Sequence, residues 1–143
     1  VYGSGELQKI DSEWWSVHNG TIKRVAFTAQ NGVITALGNG LFTGAGSLES
    51  ITIPNTVTAI GRATFYLTSK LKTITIPASV TSIGLQAFSL SGLESATFET
   101  TTGWTASNSD GTVSVSSNKL SAIAGAAEAL VETYADYTWT RTA

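Results

Sequence analysis

The sequence predicts an α/β repeat fold: a short solenoid with a parallel β-sheet on its concave face and a cap at each end, the C-terminal cap containing a helix. Three observations predict it. The stretch ITIPNTVTAIGRATF, starting at Ile51, returns nearly unchanged as ITIPASVTSIGLQAF at Ile74, a spacing of 23 residues. Each copy opens on an alternating Ile-x-Ile run that stops at a proline. The segments flanking the copies lose this period and carry helical or hairpin patterns instead.

The N-terminal segment comes first. Leu7, Ile10, Trp14 and Val17 fall at helical spacing with Trp15 beside them, which suits a cap over residues 1–21. His18, the only histidine, precedes the turn-forming pair Asn19-Gly20 and reads as an exposed loop residue. No Gly-x-Ser-x-Gly elbow accompanies it and no second strong metal ligand is placed by spacing. Asn19-Gly20-Thr21 is formally a glycosylation sequon and reads as a turn.

The repeat array is expected over residues 22–98. With Leu48 aligned on Leu71, Ile51 falls on Ile74, Ile53 on Ile76, Pro54 on Pro77 and Val57 on Val80. Ile60 then falls on Ile83, Gly61 on Gly84 and Phe65 on Phe88. Upstream, Ile34, Leu37, Gly38, Phe42 and Leu48 repeat the pattern, and Ile22, Val25 and Phe27 fit it after a turn-like insertion near Gln30-Asn31-Gly32. Downstream, Leu93, Ala96 and Phe98 begin a further unit. In each opening run the two isoleucines share one face and the threonine between them the other. Proline ends the strand because it cannot donate to a ladder. Ile-Gly and Ala-x-x-Phe would carry the chain back. A single unit leaves its apolar face uncovered, whereas stacked units bury it as one core.

The C-terminal cap is expected over residues 99–143. Asp110-Gly111 marks a hairpin turn, with alternation at Val113 and Val115. Ser121 is positioned to cap a helix of about residues 121–135, whose stripe is Ile123, Ala126, Ala127, Leu130 and Tyr134. Tyr137 to Arg141 alternates as a final strand.

Composition narrows the function. Charged residues make up 13% of the chain and the net charge is −2, so no basic footprint for nucleic acid exists. No apolar run approaches the roughly 18 residues of a membrane span. The chain contains no cysteine, which rules out disulfides and thiolate chemistry. It starts at Val1 and contains no methionine, which reads as a fragment whose true N-terminus has been removed, together with any leader or anchor it carried.

The unit carrying Leu71, Ile74, Ile76, Pro77, Ser79, Val80, Ile83, Gly84, Ala87, Phe88 and Leu93 resembles the BspA-like leucine-rich repeats, of the form L-x-x-I-x-I-P-x-S-V-x-x-I-G-x-x-A-F-x-x-C-x-x-L. The resemblance departs where the family carries cysteine, here Ala45, Thr68 and Ser91, and at Leu41-Phe42 and Thr64-Phe65 in place of Ala-Phe. The tail from Thr102-Gly103-Trp104 to Trp139-Thr-Arg141 is similar to the tails of spirochaetal members. The resemblance implies a leucine-rich-repeat solenoid from a bacterial surface, secreted or periplasmic protein. It further implies a non-catalytic role in virulence-related adhesion, with a host extracellular-matrix protein as partner and no cofactor.

The candidate partner-binding face consists of the outward positions of the opening strands: Lys23 and Arg24; Glu49, Ser50 and Thr52; Lys72, Thr73 and Thr75; Glu94, Ser95 and Thr97. Thr52, Thr73 and Thr75 would sit centrally, with Lys72 and Glu49 fixing orientation. Glu49 and Glu94 lie two strands apart, about 9–10 Å, which is within reach of an inverting glycosidase pair. Lys72 aligns between them, so Lys23, Glu49, Lys72 and Glu94 read as an alternating-charge ladder that supports register. Gly38, Gly40, Gly44 and Gly46 suggest a phosphate loop, but Thr43 stands where that motif needs glycine, and they read as repeat turns. Two other functions stay open: self-assembly into a homo-oligomer through the sheet or an exposed edge, and a carbohydrate-binding module stacking sugars on Trp14, Trp15 or Trp104.

Overall fold

The computed structural model describes residues 5–7, 20–27 and 33–142. Its strands are β1 (Gly5–Leu7), β2 (Arg24–Val25), β3 (Ile34–Leu37), β4 (Ser50–Ile51), β5 (Ala59–Ile60), β6 (Thr73–Ile76), β7 (Ser82–Ile83), β8 (Ser95–Phe98), β9 (Trp104–Asn108) and β10 (Gly111–Ser114). Two short helices follow, α1 (Ser117–Ser121) and α2 (Ile123–Glu128), then a π-helical turn at Ala129–Thr133 and the last strand, β11 (Thr138–Arg141).

The chain has the α/β repeat architecture that its period requires. Each repeat contributes an opening strand and a return strand, and the inward side chains of both meet in one core. Ile51, Ile53, Ile74 and Ile76 enter it from the opening side, and Leu37, Ile60 and Ile83 from the return side. Between them runs a spine of phenylalanines. Phe42 stacks on Phe65 at 5.5 Å between centroids and Phe65 on Phe88 at 5.0 Å. The aromatic position of the repeat thus places one ring per unit along the core axis.

The sheets divide differently from the expectation of one continuous sheet of opening strands. Those strands pair in parallel as two separate ladders, β2 with β4 and β6 with β8. The extended sheet is built on the return strands, in the order β1-β3-β5-β7-β11-β9-β10. The reason lies in Ile-Gly. A Cβ on Gly61 would stand 2.7 Å from the Asn39 nitrogen, and one on Gly84 would collide with Arg62 backbone. Without side chains there, adjacent return segments approach closely enough to bond, Gly61 N–H to Leu37 O at 2.7 Å and Gly84 N–H to Ile60 O at 2.8 Å.

The repeat turns also share a conformation. Gly40, Ala63 and Gln86 take positive φ at one position of the unit (61°, 53° and 57°), and Gly44, Leu67 and Leu90 at another (75°, 62° and 55°). Gly40 and Gly44, two of the four glycines that suggest a phosphate loop, are therefore the first copy of a left-handed turn that later copies build from other residues.

The N-terminal expectation needs correction at Leu7. It lies in β1, parallel to β3, not on a helix. Pairing with the first return strand outweighs a weak helical period. Ile10, Trp14, Trp15, Val17, His18 and the insertion at Gln30-Asn31-Gly32 lie outside the described residues.

At the other end, the cap takes the place of a further repeat. Gly40 N–H donates to Arg62 O and Ala63 N–H to Leu85 O, and the third equivalent donor, Gln86 N–H, finds Ala135 O of the cap at 2.9 Å. Likewise Thr81 N–H donates to Thr58 O, and Thr81 O in turn accepts Arg141 N–H of β11 at 2.8 Å. The Arg141 guanidinium completes the closure on Val80 O and Ala78 O, at 3.2 and 2.6 Å. The helical stretch starts at Ser117, four residues before the expected Ser121 cap, and breaks at Ala122. Ser121 donates its hydroxyl back to Ser117 O at 2.8 Å, a bond made within a helix and not at its start. Ala126, Ala127 and Leu130 of the expected stripe are buried, whereas Ile123 is exposed.

Candidate functional site

On the opening side, alternation sets the geometry. Inward-pointing Ile74 and Ile76 of β6 and Ala96 and Phe98 of β8 are buried. Their neighbours point away from the core. Thr73 faces Ser95 across the ladder and Thr75 faces Thr97. On the other ladder Arg24 faces Ser50, and Thr52 follows just beyond β4. Ten of the eleven predicted residues are exposed, and Ser95 is half-buried.

The charged positions sit at the entry to each strand. Lys23 O accepts from Glu49 and Ser50 N–H groups at 2.8 and 3.2 Å. Lys72 O accepts from Glu94 and Ser95 in the same manner, at 2.9 and 3.1 Å. One rung of the expected charge ladder closes as an ion pair, Lys72 Nζ to Glu94 Oε1 at 2.9 Å. With side chains 54% and 73% exposed, it sets direction more than stability, being worth about 0–1 kcal/mol. Among the described residues the rungs Lys23–Glu49 and Glu49–Lys72 form no ion pair, the second because β4 and β6 share no ladder.

The hydroxyls differ in part between this face and the return side. There four of them donate to the backbone of the preceding unit: Thr56 Oγ1 to Ile34 O at 2.7 Å, Thr58 Oγ1 to Thr35 O at 3.1 Å, Ser79 Oγ to Val57 O at 2.7 Å and Thr81 Oγ1 to Thr58 O at 3.3 Å, while Thr35 and Ser82 make no side-chain hydrogen bond with any described residue. On the opening side, Ser50, Thr52, Thr73, Thr75, Ser95 and Thr97 make no side-chain hydrogen bond with any described residue. Each hydroxyl there can donate and accept toward a partner. Ser and Thr stand on both sides, and the sequence carries no signal of which hydroxyls are bonded.

Chemically the face offers hydrogen bonding and a few charges. Glu94 is engaged by Lys72, which stands between it and Glu49, so the two carboxylates do not face each other across an open gap. Among the described residues no group of three potential metal ligands occurs, and no helix is long and apolar enough to cross a membrane.

Trp104 requires correction. It is 2% exposed and donates its Nε1 hydrogen to Thr100 O at 2.9 Å, so it offers no stacking surface. It packs edge-on to Phe98 at 5.5 Å, while Trp139 stacks on the same ring at 6.0 Å. The C-terminal tryptophans are core of the cap. Trp14 and Trp15 lie outside the described residues.

A family model described as the BspA type leucine rich repeat region, in six copies, matches residues 7–109. No curated protein and no solved structure matches the chain.

Proposed function

The chain belongs to the BspA-type leucine-rich repeat family, and on that premise we propose that it is an adhesion module whose opening-strand face grips a host extracellular-matrix protein. A leucine-rich repeat domain is in general a non-catalytic protein-interaction module, and neighbouring strands give such a module a preorganised surface. The observation that carries the assignment is the row of uncommitted hydroxyls at Thr52, Thr73, Thr75, Ser95 and Thr97, beside a return side where those of Thr56, Thr58, Ser79 and Thr81 are already bonded to backbone. A partner can satisfy them without breaking internal bonds. Lys23, Arg24 and the Lys72–Glu94 pair border the row and would set the partner's orientation.

In this proposal the protein is bacterial and works at the cell surface, in the periplasm or outside the cell, where it meets host matrix. The purified chain should bind at least one of a panel of matrix proteins saturably, and the folded Thr52→Arg/Thr75→Arg variant should lose that binding. Absence of binding across the panel, or equal binding by the variant, would refute the proposal.

A further inference from the structure

The extended sheet ends at β10, and no described residue pairs with its outer edge. β9 and β10 form a hairpin in which Asn108 pairs with Gly111, Ala106 with Val113 and Thr105 with Ser114. Past the strand, Val115 N–H donates to Trp104 O. Antiparallel pairing alternates, so residues 111, 113 and 115 turn their backbone groups toward β9. The N–H and C=O groups of Thr112 and Ser114 therefore point outward from the sheet. Edges are usually blunted by a charge, a proline or a covering element. β10 has no charge and no proline, and all four of its residues are exposed.

Val113 adds a second observation. Opposite Ala106, it shares the sheet face of Trp104, Ala106 and Trp139, all of which are buried. Val113 itself is 40% exposed, because the core stops short of the last strand. The polar side of the same hairpin is satisfied internally, with Ser107 Oγ and Thr112 Oγ1 2.7 Å apart. What remains unmet at this edge is backbone pairing on one side and cover for one valine.

We propose that β10 pairs antiparallel with β10 of a second copy, about a two-fold axis through Val113, so that the return-strand sheet continues from one copy into the other. In this register Thr112 lies opposite Ser114 of the partner subunit and Ser114 opposite Thr112 of the partner subunit. Both are residues whose backbone groups point outward, so donors meet acceptors on each side of the axis. Val113 meets Val113 of the partner subunit as a non-hydrogen-bonded pair, the closer of the two antiparallel geometries at about 4.5 Å between Cα atoms. Each valine covers the other. Asp110 falls opposite Ser116 of the partner subunit, so no like charges are apposed. The contact is isologous and closes at two copies. It uses none of the opening-strand residues, so it stands or falls independently of the adhesion proposal.

Sedimentation velocity over a wide concentration range tests it. The wild-type chain should show a monomer–dimer equilibrium, lost in Val113→Lys, which sets two cations face to face. The chain has no cysteine, so single-cysteine variants report register directly. Val113→Cys should form an intermolecular disulfide under mild oxidation. Thr112→Cys should not, since the two copies of residue 112 lie beyond the roughly 7 Å Cα separation that a disulfide spans. The Cys variants decide the matter even if Val113→Lys fails to fold. A wild-type chain monomeric at every concentration would overturn the proposal, as would cross-linking of Thr112→Cys as readily as Val113→Cys.

Discussion

Phe65 and Phe88, 23 positions apart in the chain, stack with ring planes only 14° from parallel and centroids 5.0 Å apart. Phe42 continues the stack from the other side of Phe65. The contact converts a sequence period into a packing period. Phe65 has a ring on each side and is fully buried. Phe65→Ala should therefore destabilise the chain by about 3–5 kcal/mol. Urea denaturation measures this, and a loss below about 1 kcal/mol would mean that the spine is not the core of the array.

The left-handed turn positions yield a prediction of opposite sign. Ala63 holds φ at 53°, where Gly40 stands in the preceding unit. An L-residue there costs roughly 1–2 kcal/mol, of which the greater unfolded freedom of glycine takes back part. Ala63→Gly should stabilise the protein by about 0.5–1 kcal/mol. Unchanged or reduced stability would show that the turn costs nothing.

Ser91 occupies the position where the repeat pattern of the family carries cysteine. Its hydroxyl is buried without a hydrogen-bond partner among the described residues, whereas Thr68, one unit earlier, donates to Phe65 O at 2.7 Å. Removing an unpaired buried hydroxyl should help. Ser91→Ala is expected to gain about 1 kcal/mol, and Thr68→Ala to lose a similar amount. Thermal melts of the pair measure both signs at once.

Glu128 ties the helical part of the cap together. Its Oε1 accepts from Thr133 Oγ1 at 2.8 Å and from Lys119 Nζ at 3.0 Å. These bonds, first the Thr133 hydroxyl and then Lys119, hold its carboxyl below the usual carboxylate range. A carboxylate so depressed stabilises the fold above its unfolded value, and the gain vanishes as pH falls through the folded one. Wild type should therefore melt above Glu128→Gln at neutral pH, and the gap should close as pH falls below about 4. A gap that persists in acid would mean that the carboxylate charge is not the cause.

The parts of this fold legible in the sequence are those governed by local pattern. Alternation at Ile74 and Ile76 gives the strand, its buried face and the outward direction of Thr73 and Thr75. The alternation of Tyr137 to Arg141 likewise gives the last strand, Thr138–Arg141. Other features depend on distant partners. Nothing near Gly61 or Gly84 tells a return turn from a strand drawn against its neighbour, because the evidence is the close backbone of the adjacent unit. Leu67 and Leu90 carry no sign of positive φ, which only the alignment of their positions with Gly44 reveals. Trp104 reads as a ring available for stacking until Phe98 and Trp139 are seen to enclose it. For the candidate site, alternation identifies the outward residues but not which hydroxyls are free.

In the proposed function, recognition belongs to the opening-strand face and not to the protein surface at large. The most direct measurement compares two folded double variants of equal added charge for affinity toward a matrix protein that the wild type binds. Thr52→Arg/Thr75→Arg alters the opening face, and Thr35→Arg/Thr81→Arg the return side, where Thr35 and Thr81 are also exposed. The first variant should lose binding while the second keeps the wild-type affinity. Equal loss in both, or loss in the second alone, would contradict the proposed function.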